Sequence, residues 1–325
     1  MTAAESTGTL GELGESAALA RIFPRLPAAF AQLLGPGDDA AILAAPDGRF
    51  VVTTDMMIHG PDFRLAWSTP HDLGWKAAAT NLSDLAAMGA VGTGLVVAIA
   101  APASTPVEVL EGIADGLREA CSALAPGCGV VGGDLSVSAT LTIAVTAFGD
   151  LEGRAPVLRS GARVGDVVAV SGGLGVAAAG LRILFRDGVV DGEPDAAAAA
   201  ALRSDPSVAF QLAPVPPIAD GPVAAAAGAT AMLDLSDGLA RDARRIASAS
   251  GVALDLSAAA IGSHEALVGG EDHSLLATFP AGRGLPPSFR VIGSVVPGTG
   301  LLVDGVVFDE LGGWDPYADW NGGVG

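Results

Sequence analysis

The chain is short of cysteine, lysine and long apolar runs, and these shortages restrict what kind of protein it can be. Its two cysteines, Cys121 and Cys128, have the spacing of neither a metal site nor a redox pair, so we interpret them as free, buried thiols. Lys76 is the only lysine, and we interpret it as a structural or surface residue. No stretch approaches the roughly 18 consecutive apolar residues that cross a bilayer, so the sequence predicts no membrane span.

Positive charge is also scarce. The chain carries 17 basic and 36 acidic residues, a formal net charge of −19. This balance argues against DNA, RNA or an anionic membrane as a primary partner. It is compatible with a phosphate ligand that arrives with divalent cations, because carboxylates that bind Mg²⁺ are counted in the same charge. The first residues do not resemble a secretory signal, so we expect a cytoplasmic protein.

Three common catalytic motifs are missing. The sequence has no Gly-x-x-x-x-Gly-Lys-Ser/Thr loop, which excludes a P-loop nucleotide site. None of the four histidines belongs to a zinc-protease motif, and no serine occupies a Gly-x-Ser-x-Gly elbow. These absences disfavour zinc proteases and serine hydrolases.

Acidic residues recur instead at glycine turns, at predicted strand ends and on one helix. Each acid alone could be a cap, a turn residue or a solvated surface acid. Several carboxylates in one low-dielectric cleft repel one another unless cations neutralise them, and oxygen ligands without cysteine or paired histidine favour Mg²⁺ or Ca²⁺ over zinc. The recurrence therefore favours a shared metal site. The acids are Asp38, Asp39, Asp55, Asp84, Asp134, Asp234, Asp237, Glu271 and Asp272.

The helix that carries Asp84 is predicted to face both a core and something polar. Asn81 and Asp84 lie three residues apart and share one side of the helix. Asn81 either orients a neighbouring carboxylate or caps a local contact, and both alternatives remain open. The buried side is predicted at Trp75, Ala78, Leu82 and Leu85.

The fold is predicted to be α+β with two domains. A length of 325 residues exceeds what one hydrophobic core usually supports, and the connections mix hairpins with longer helical crossovers. We place the domains at residues 1–152 and 153–325, with a locally basic segment at the boundary. Asp55 and Asp134 are predicted to end strands, and residues 106–124 are predicted to form a core-facing helix.

Six segments together resemble the successive motifs of the thiamine-monophosphate kinase family, within the superfamily of aminoimidazole ribonucleotide synthetase. They occur in the family's order and at similar spacings, and the other branches of the superfamily do not combine all six. The segments are Gly37-Asp38-Asp39-Ala40, Thr53-Thr54-Asp55, residues 81–89, Gly132-Gly133-Asp134, residues 234–239 and Gly269-Gly270-Glu271-Asp272.

The resemblance implies a kinase that uses ATP as co-substrate and several Mg²⁺ ions to convert thiamine monophosphate to thiamine diphosphate. It also implies a homodimer, in which the N-terminal sheets of two chains form a barrel and the C-terminal α+β domain packs beside it. The implied nucleotide positions are Gly133, Asp134, Arg159 and Ser236, and the implied substrate positions are Asp62, Glu271 and Trp314. The implied metal positions are Asp39, Thr53, Thr54, Asp55, Asp84, Asp134, Asp234 and Asp237, and the catalytic ones are Asp84, Asp134, Asp234 and Arg159.

This chemistry agrees with the residues that are present. Phosphoryl transfer depends on alignment and charge neutralisation more than on covalent participation of the protein. The acceptor phosphate already carries an ionised oxygen, so the lack of an obvious catalytic histidine is expected. Trp314 could stack on the pyrimidine of thiamine or anchor the C-terminal tail.

One departure and two alternatives remain. Asp62 stands where the family often has histidine, so the substrate contact is expected to differ in kind. The chain could instead be another ATP-using synthetase of the superfamily, although no cysteine near the N-terminus supports a selenophosphate synthetase. It could also be a non-catalytic regulator that binds cations or nucleotide.

Overall fold

The computed structural model describes residues 8–35, 40–310 and 312–313. No helix in these ranges is long and apolar enough to span a membrane. The helices are α1 (Leu10–Leu13), α2 (Glu15–Ile22), α3 (Pro70–Ala87), α4 (Val107–Leu124), α5 (Val176–Asp187), α6 (Ala196–Leu202), α7 (Pro206–Leu212), α8 (Asp220–Ala227), α9 (Leu239–Ser250), α10 (Ala258–Ile261) and α11 (His264–Val268). The strands are β1 (Gln32–Leu34), β2 (Ile42–Leu43), β3 (Val51–Ile58), β4 (Val91–Ala101), β5 (Val130–Val137), β6 (Thr142–Asp150), β7 (Val167–Ser171), β8 (Val189–Val190), β9 (Glu193–Pro194), β10 (Ala231–Asp234), β11 (Ala253–Leu256), β12 (Leu275–Phe279), β13 (Arg290–Val296), β14 (Gly300–Val303) and β15 (Val306–Val307).

Two larger sheets organise the molecule. The first has four strands in the order β3-β6-β4-β5, and the second has seven in the order β10-β12-β7-β13-β11-β14-β15. Strands and helices are mixed around both sheets, which confirms the α+β class. The first sheet ends at Asp150 and the second begins at Val167, so the predicted boundary at residues 152–153 falls between them and remains a prediction.

Helix α3 lies at the centre of the fold. It begins with a capping box between Thr69 and Asp72 and has proline at its first position, which satisfies and pre-shapes the first turn. It crosses α4 closely because glycines replace side chains at the contact. A Cβ atom on Gly74 would lie 2.0 Å from the carbonyl oxygen of Ile113. The predicted helix over residues 106–124 is confirmed by α4.

Contacts from the second half of the chain hold the other side of α3. Trp75 Nε1 donates a hydrogen bond to the Pro214 carbonyl oxygen at 2.6 Å. The Arg203 guanidinium donates to Asp72 at 2.7 Å. One helix therefore belongs to the core of the first sheet and also borders the second half of the chain.

Both predicted strand ends are wrong. Asp55 lies inside β3, because the strand stays paired with β6 as far as Ile58. Asp134 lies inside β5, because that strand stays paired with β4 as far as Val137. The cross-strand partners are distant in sequence, so the local pattern could not reveal the continuation. Cys121 and Cys128 are free and buried, as predicted.

Candidate active site

Three distant segments meet at the C-terminal half of α3. Thr53 Oγ1 on β3 donates a hydrogen bond to Asp84 Oδ2 at 2.7 Å. Ser83 Oγ, the neighbour of Asp84, donates to Asp234 Oδ2 at the end of β10, at 3.3 Å. The helix therefore brings the predicted metal residues Thr53, Asp84 and Asp234 together.

This cluster carries more negative charge than its surroundings neutralise. Burial raises the pKa of Asp84 to about 7; Asp234 and Asp55 add to the rise, and the hydrogen bond from Thr53 opposes it. Desolvation also raises the pKa of Asp55, with Asp234 adding to it and His273 opposing it. Like charges that share a site disfavour the ionised state. A cation at this position would remove that penalty.

Asn81 links the helix to the strand that carries Asp55. Its Nδ2 donates to the Ala77 carbonyl oxygen at 2.9 Å, and its Oδ1 accepts from the backbone nitrogen of Asp55 at 3.1 Å. Both ends of the amide are therefore used. Of the two alternatives for Asn81, the structure favours orientation of a neighbouring acidic residue, through that residue's backbone.

His273 is a residue of this cluster that the sequence analysis did not single out. It is buried, with Nδ1 3.1 Å from Asp234 Oδ2. Burial lowers its pKa, but the hydrogen bond and the charge of Asp234 outweigh that effect and raise it overall. In the structure, Glu271 and His273 both have positive φ angles, 64° and 50°. Such strain in non-glycine residues often occurs at functional sites.

The loop between β10 and α9 positions Ser236 and Asp237. The Ser236 carbonyl oxygen accepts from the backbone nitrogen of Glu271 at 2.7 Å, so Ser236 lies beside the acidic segment. The Asp237 carboxylate pairs with Arg245, and its backbone nitrogen donates to Asp242 at 3.1 Å. Burial raises the pKa of Asp242 to about 7, against the opposing charge of Arg245.

Asp272, grouped with the metal-binding acids in the sequence analysis, has a different role. Its carboxylate accepts hydrogen bonds from the backbone nitrogens of Gly175 and Ala177, the latter at 2.9 Å. These groups lie at the start of α5, where unpaired N–H groups need acceptors. Asp272 is therefore a helix-capping residue, which is one of the alternatives that the sequence leaves open for each acid taken alone.

A cavity of about 250 Å³ adjoins the acidic segment and is lined by two predicted substrate residues, Asp62 and Glu271. Asp62 Oδ2 accepts from the backbone nitrogen of Ile58 at 2.7 Å, so this acid also closes its own loop. Burial raises the pKa of Asp62. We call this cavity the aromatic pocket, because three of its lining residues are Phe63, Trp67 and Phe185.

Glu271 remains ionised in the wall of the aromatic pocket. Burial raises its pKa, but Lys76 and Gln211 outweigh burial and hold the pKa below its ordinary value. Lys76 Nζ lies 3.1 Å from Glu271 Oε1. The lysine is buried, so the surface part of its interpretation was wrong and its role is to pair with this carboxylate.

The predicted nucleotide positions Gly133 and Asp134 lie apart from this cluster. They are on β5, at the opposite edge of the sheet from β3, three strand spacings or about 14 Å away. Both line a second cavity of about 580 Å³ between α4 and strands β4 and β5. A Cβ atom on Gly133 would lie 1.9 Å from the Val97 carbonyl oxygen, so strand pairing itself requires that glycine.

Arg159 is also separate. Its guanidinium is exposed and pairs with no residue in the described ranges. Its carbonyl oxygen accepts from Ser250 Oγ at 2.8 Å, at the end of α9 farther from Asp237. Three further residues that the sequence predicts for the site lie outside the described residues: Asp38, Asp39 and Trp314. Thr54, the last predicted metal position, donates its hydroxyl to the Val145 carbonyl oxygen at 3.0 Å.

The described ranges contain no group of three or more His, Cys, Asp or Glu residues that could hold a metal ion. Ca²⁺ takes about six to eight oxygen ligands, whereas Mg²⁺ usually takes one or two carboxylates together with waters and phosphates. The oxygen donors around Asp84 fit the second arrangement.

The amino-acid sequence matches a family model and several known proteins. Residues 37–151 match the family described as AIR synthase related protein, N-terminal domain. The chain is 44% identical to the thiamine-monophosphate kinase of Mycobacterium tuberculosis strain H37Rv, over 97% of this chain and 95% of that protein. It is 40% identical to that of Corynebacterium glutamicum, over 88% of this chain and 87% of that protein.

Solved structures extend the likeness to three dimensions. The thiamine-monophosphate kinase of Stenotrophomonas maltophilia K279a matches with a TM-score of 0.73 and 31% identity, over 90% of this chain and 96% of that one. AaThiL complexed with AMPPCP and TMP matches with a TM-score of 0.70 and 32% identity, over 94% of this chain and 98% of that one. The chain belongs to the thiamine-monophosphate kinase family.

Proposed function

We propose that this protein transfers the γ-phosphoryl group of ATP to the phosphate of thiamine monophosphate, giving thiamine diphosphate and ADP. The observation that carries the proposal is the junction of the acidic cluster around Asp84 and Asp234 with the aromatic pocket, whose wall contains Glu271. The complex of AaThiL with AMPPCP and TMP supports the two substrates. The acidic cluster would then bind polyphosphate together with cations, and the adjoining aromatic pocket would accept a flat organic ring.

Magnesium ions are part of the proposal. Thr53, Asp55, Asp84 and Asp234 would hold them, with Thr54 and Asp237 as further candidates. When bound, Mg²⁺ would neutralise charge on the transferring and accepting phosphates. The raised pKa values of Asp55 and Asp84 support this fit, because these acids gain from a nearby cation.

The protein's own residues would align the reactants. The ionised Glu271 and the aromatic walls would hold the thiamine ring, and the acidic cluster would fix the accepting phosphate through its cations. The bond from the γ-phosphorus to the ADP oxygen breaks as the bond to the acceptor oxygen forms. The acceptor oxygen is already ionised, so no side chain has to remove a proton, and alignment supplies most of the rate gain.

The dimer completes the proposed site. Strands β3 and β5 are the two edges of the four-stranded sheet. The face opposite α3 exposes apolar side chains, with Val52 54% and Met56 58% exposed. A second copy would cover that face if β3 of each chain paired with β5 of the other. Asp134 of the partner subunit would then lie beside β3. The dimer would thus bring an Asp134 close to the acidic cluster, although the two are far apart within one chain.

The second cavity suits the nucleotide. It is mainly apolar, and its wall includes Gly132, Gly133 and Asp134. A Cβ atom on Gly132 would meet nothing within 4 Å, which leaves the backbone accessible to a ligand. We propose that the adenine ring occupies this cavity and that Ser236 contacts the phosphates. Arg159, whose guanidinium pairs with no residue in the described ranges, remains a predicted nucleotide position. The proposed domains remain residues 1–152 and 153–325.

An assay of ADP release tests the reaction. Purified protein with ATP, Mg²⁺ and thiamine monophosphate is expected to form ADP and thiamine diphosphate in equal amounts. Unphosphorylated thiamine, which lacks the acceptor phosphate, is the matched control and should give no ADP. Binding of ATP without ADP release in any mixture would indicate a regulator and would refute the proposal.

A further inference from the structure

Helix α7 places a glutamine in the wall of the aromatic pocket, at a position that no sequence motif indicated. Gln211 is 6% exposed and lines the pocket together with Glu271. Its side-chain Nε2 donates to Glu271 Oε2, and its backbone carbonyl oxygen accepts from Lys76 Nζ at 3.4 Å. Its side-chain Oε1 has no hydrogen-bond partner in the described part of the chain.

The orientation of the Gln211 amide follows from its neighbour. An ionised carboxylate only accepts hydrogen bonds, and Lys76 keeps Glu271 ionised. The NH₂ group of Gln211 must therefore point to Glu271, and the amide cannot be reversed without placing two acceptors in contact. Oε1 is thereby left as a buried acceptor. Buried polar atoms in native proteins nearly always have a partner, so a donor from a bound molecule is expected here.

We infer that Gln211 is a specificity residue whose Oε1 accepts a hydrogen bond from an amino group on a planar ring bound in the aromatic pocket. The inference rests on the proposed function, in which that ring is the aminopyrimidine of thiamine monophosphate. Gln211 Oε1 and the Glu271 carboxylate form a pair of neighbouring acceptors, which suits a ring edge that carries N–H donors. The aromatic side chains of Phe63, Trp67 and Phe185 provide apolar surfaces for the ring.

The acceptor pair also predicts what the pocket rejects. An analogue with a carbonyl in place of the amino group would set oxygen against oxygen at Gln211. A site built to bind a donor discriminates strongly against a ligand that lacks it, because its buried polar groups are left unpaired. Gln211 should therefore govern the preference for the amino form over the carbonyl form.

The test measures binding of both forms by calorimetry, with Mg²⁺ and AMPPCP present. The ligands are thiamine monophosphate and its analogue with the ring amino group replaced by a carbonyl. In Gln211→Met, which keeps the side-chain length, Kd for thiamine monophosphate should rise about tenfold while Kd for the analogue stays within about twofold. The KM for thiamine monophosphate should rise with it, and the KM for ATP should not change.

Two further variants separate the acceptor from other roles of Gln211. Gln211→Glu sets a second carboxyl against Glu271, and because two carboxylates in contact cannot both ionise, one of them takes up a proton. The shared proton then replaces the donor to Glu271 and an acceptor oxygen remains toward the ligand, so this variant should retain the wild-type preference between the two ligands. Ala209→Gly weakens the same helix at an exposed position and should leave both Kd values unchanged.

Equal weakening of both ligands in Gln211→Met, or loss of preference in Gln211→Glu, would overturn the inference. Failure of the proposed function is a different result: tight binding of thiamine monophosphate by the wild type without ADP release. The binding comparison decides the role of Gln211 in that case too. A wild type that binds neither form would overturn both.

Discussion

Replacing Asp84 with asparagine should abolish activity and, without divalent cations, make the protein more stable. Asparagine has nearly the same shape, and its side-chain oxygen can still accept the hydrogen bond from Thr53 Oγ1. The substitution removes one negative charge from a cluster that also contains Asp55 and Asp234. Acids at a functional site can oppose folding, and removing them then trades activity for stability.

The magnitude follows from the pKa of Asp84, which is raised from 3.8 to about 7 in the folded protein. A raised pKa means that the folded state binds the proton more tightly than the unfolded state. The resulting stability is complete below the unfolded value and is lost as pH rises through about 7. Three pKa units correspond to about 4 kcal/mol. Because Asp84 is partly exposed and shares charge with its neighbours, we expect the variant to gain roughly 1–3 kcal/mol at pH 8.

The assay is urea unfolding in EDTA at pH 8 and at pH 5. The gain should be large at pH 8 and should shrink at pH 5, where the wild-type carboxyl is mostly protonated. Added Mg²⁺ should stabilise the wild type more than the variant. The control is Asp191→Asn at an exposed turn, which should change the free energy of unfolding by less than about 0.5 kcal/mol. A less stable Asp84→Asn at pH 8 in EDTA would refute the reasoning.

Three other substitutions test separate parts of the structure. Met56→Lys puts a charge on the exposed apolar face of the first sheet. Light scattering should then show monomers, and ADP release should fall. An active dimer would contradict the proposed barrel. Lys76→Met leaves the half-buried Glu271 without its cationic partner, and should lower the free energy of unfolding by about 1–3 kcal/mol. It should also raise the KM for thiamine monophosphate but not for ATP, and equal changes in both KM values would contradict this role. Gly133→Ala should lower the free energy of unfolding by about 1–3 kcal/mol, because the new Cβ atom would overlap the backbone of β4. Gly132→Ala, measured by thermal unfolding without ligand, should be tolerated. Similar losses of stability in the two variants would contradict the explanation.

Local sequence signals were sufficient for the elements whose residues depend on near neighbours. The apolar spacing over residues 106–124 predicted α4, because a buried helix face repeats within one element. The strand ends at Asp55 and Asp134 were missed, because hydrogen bonds to distant strands decide where a strand stops. The same limitation applies to Asp272, whose partners at the start of α5 lie almost a hundred positions away.

The sequence by itself determined the family, because the order of its acidic segments along the chain and their glycine context are specific. Only the tertiary structure decided which residues meet. It joined Thr53, Asp84 and Asp234, and it separated Asp134 from them across the sheet. It also revealed the hydrogen bonds around the half-buried Glu271, in which Gln211 is 60 positions from its partner. Such contacts depend on chain folding and burial, and no short motif records them.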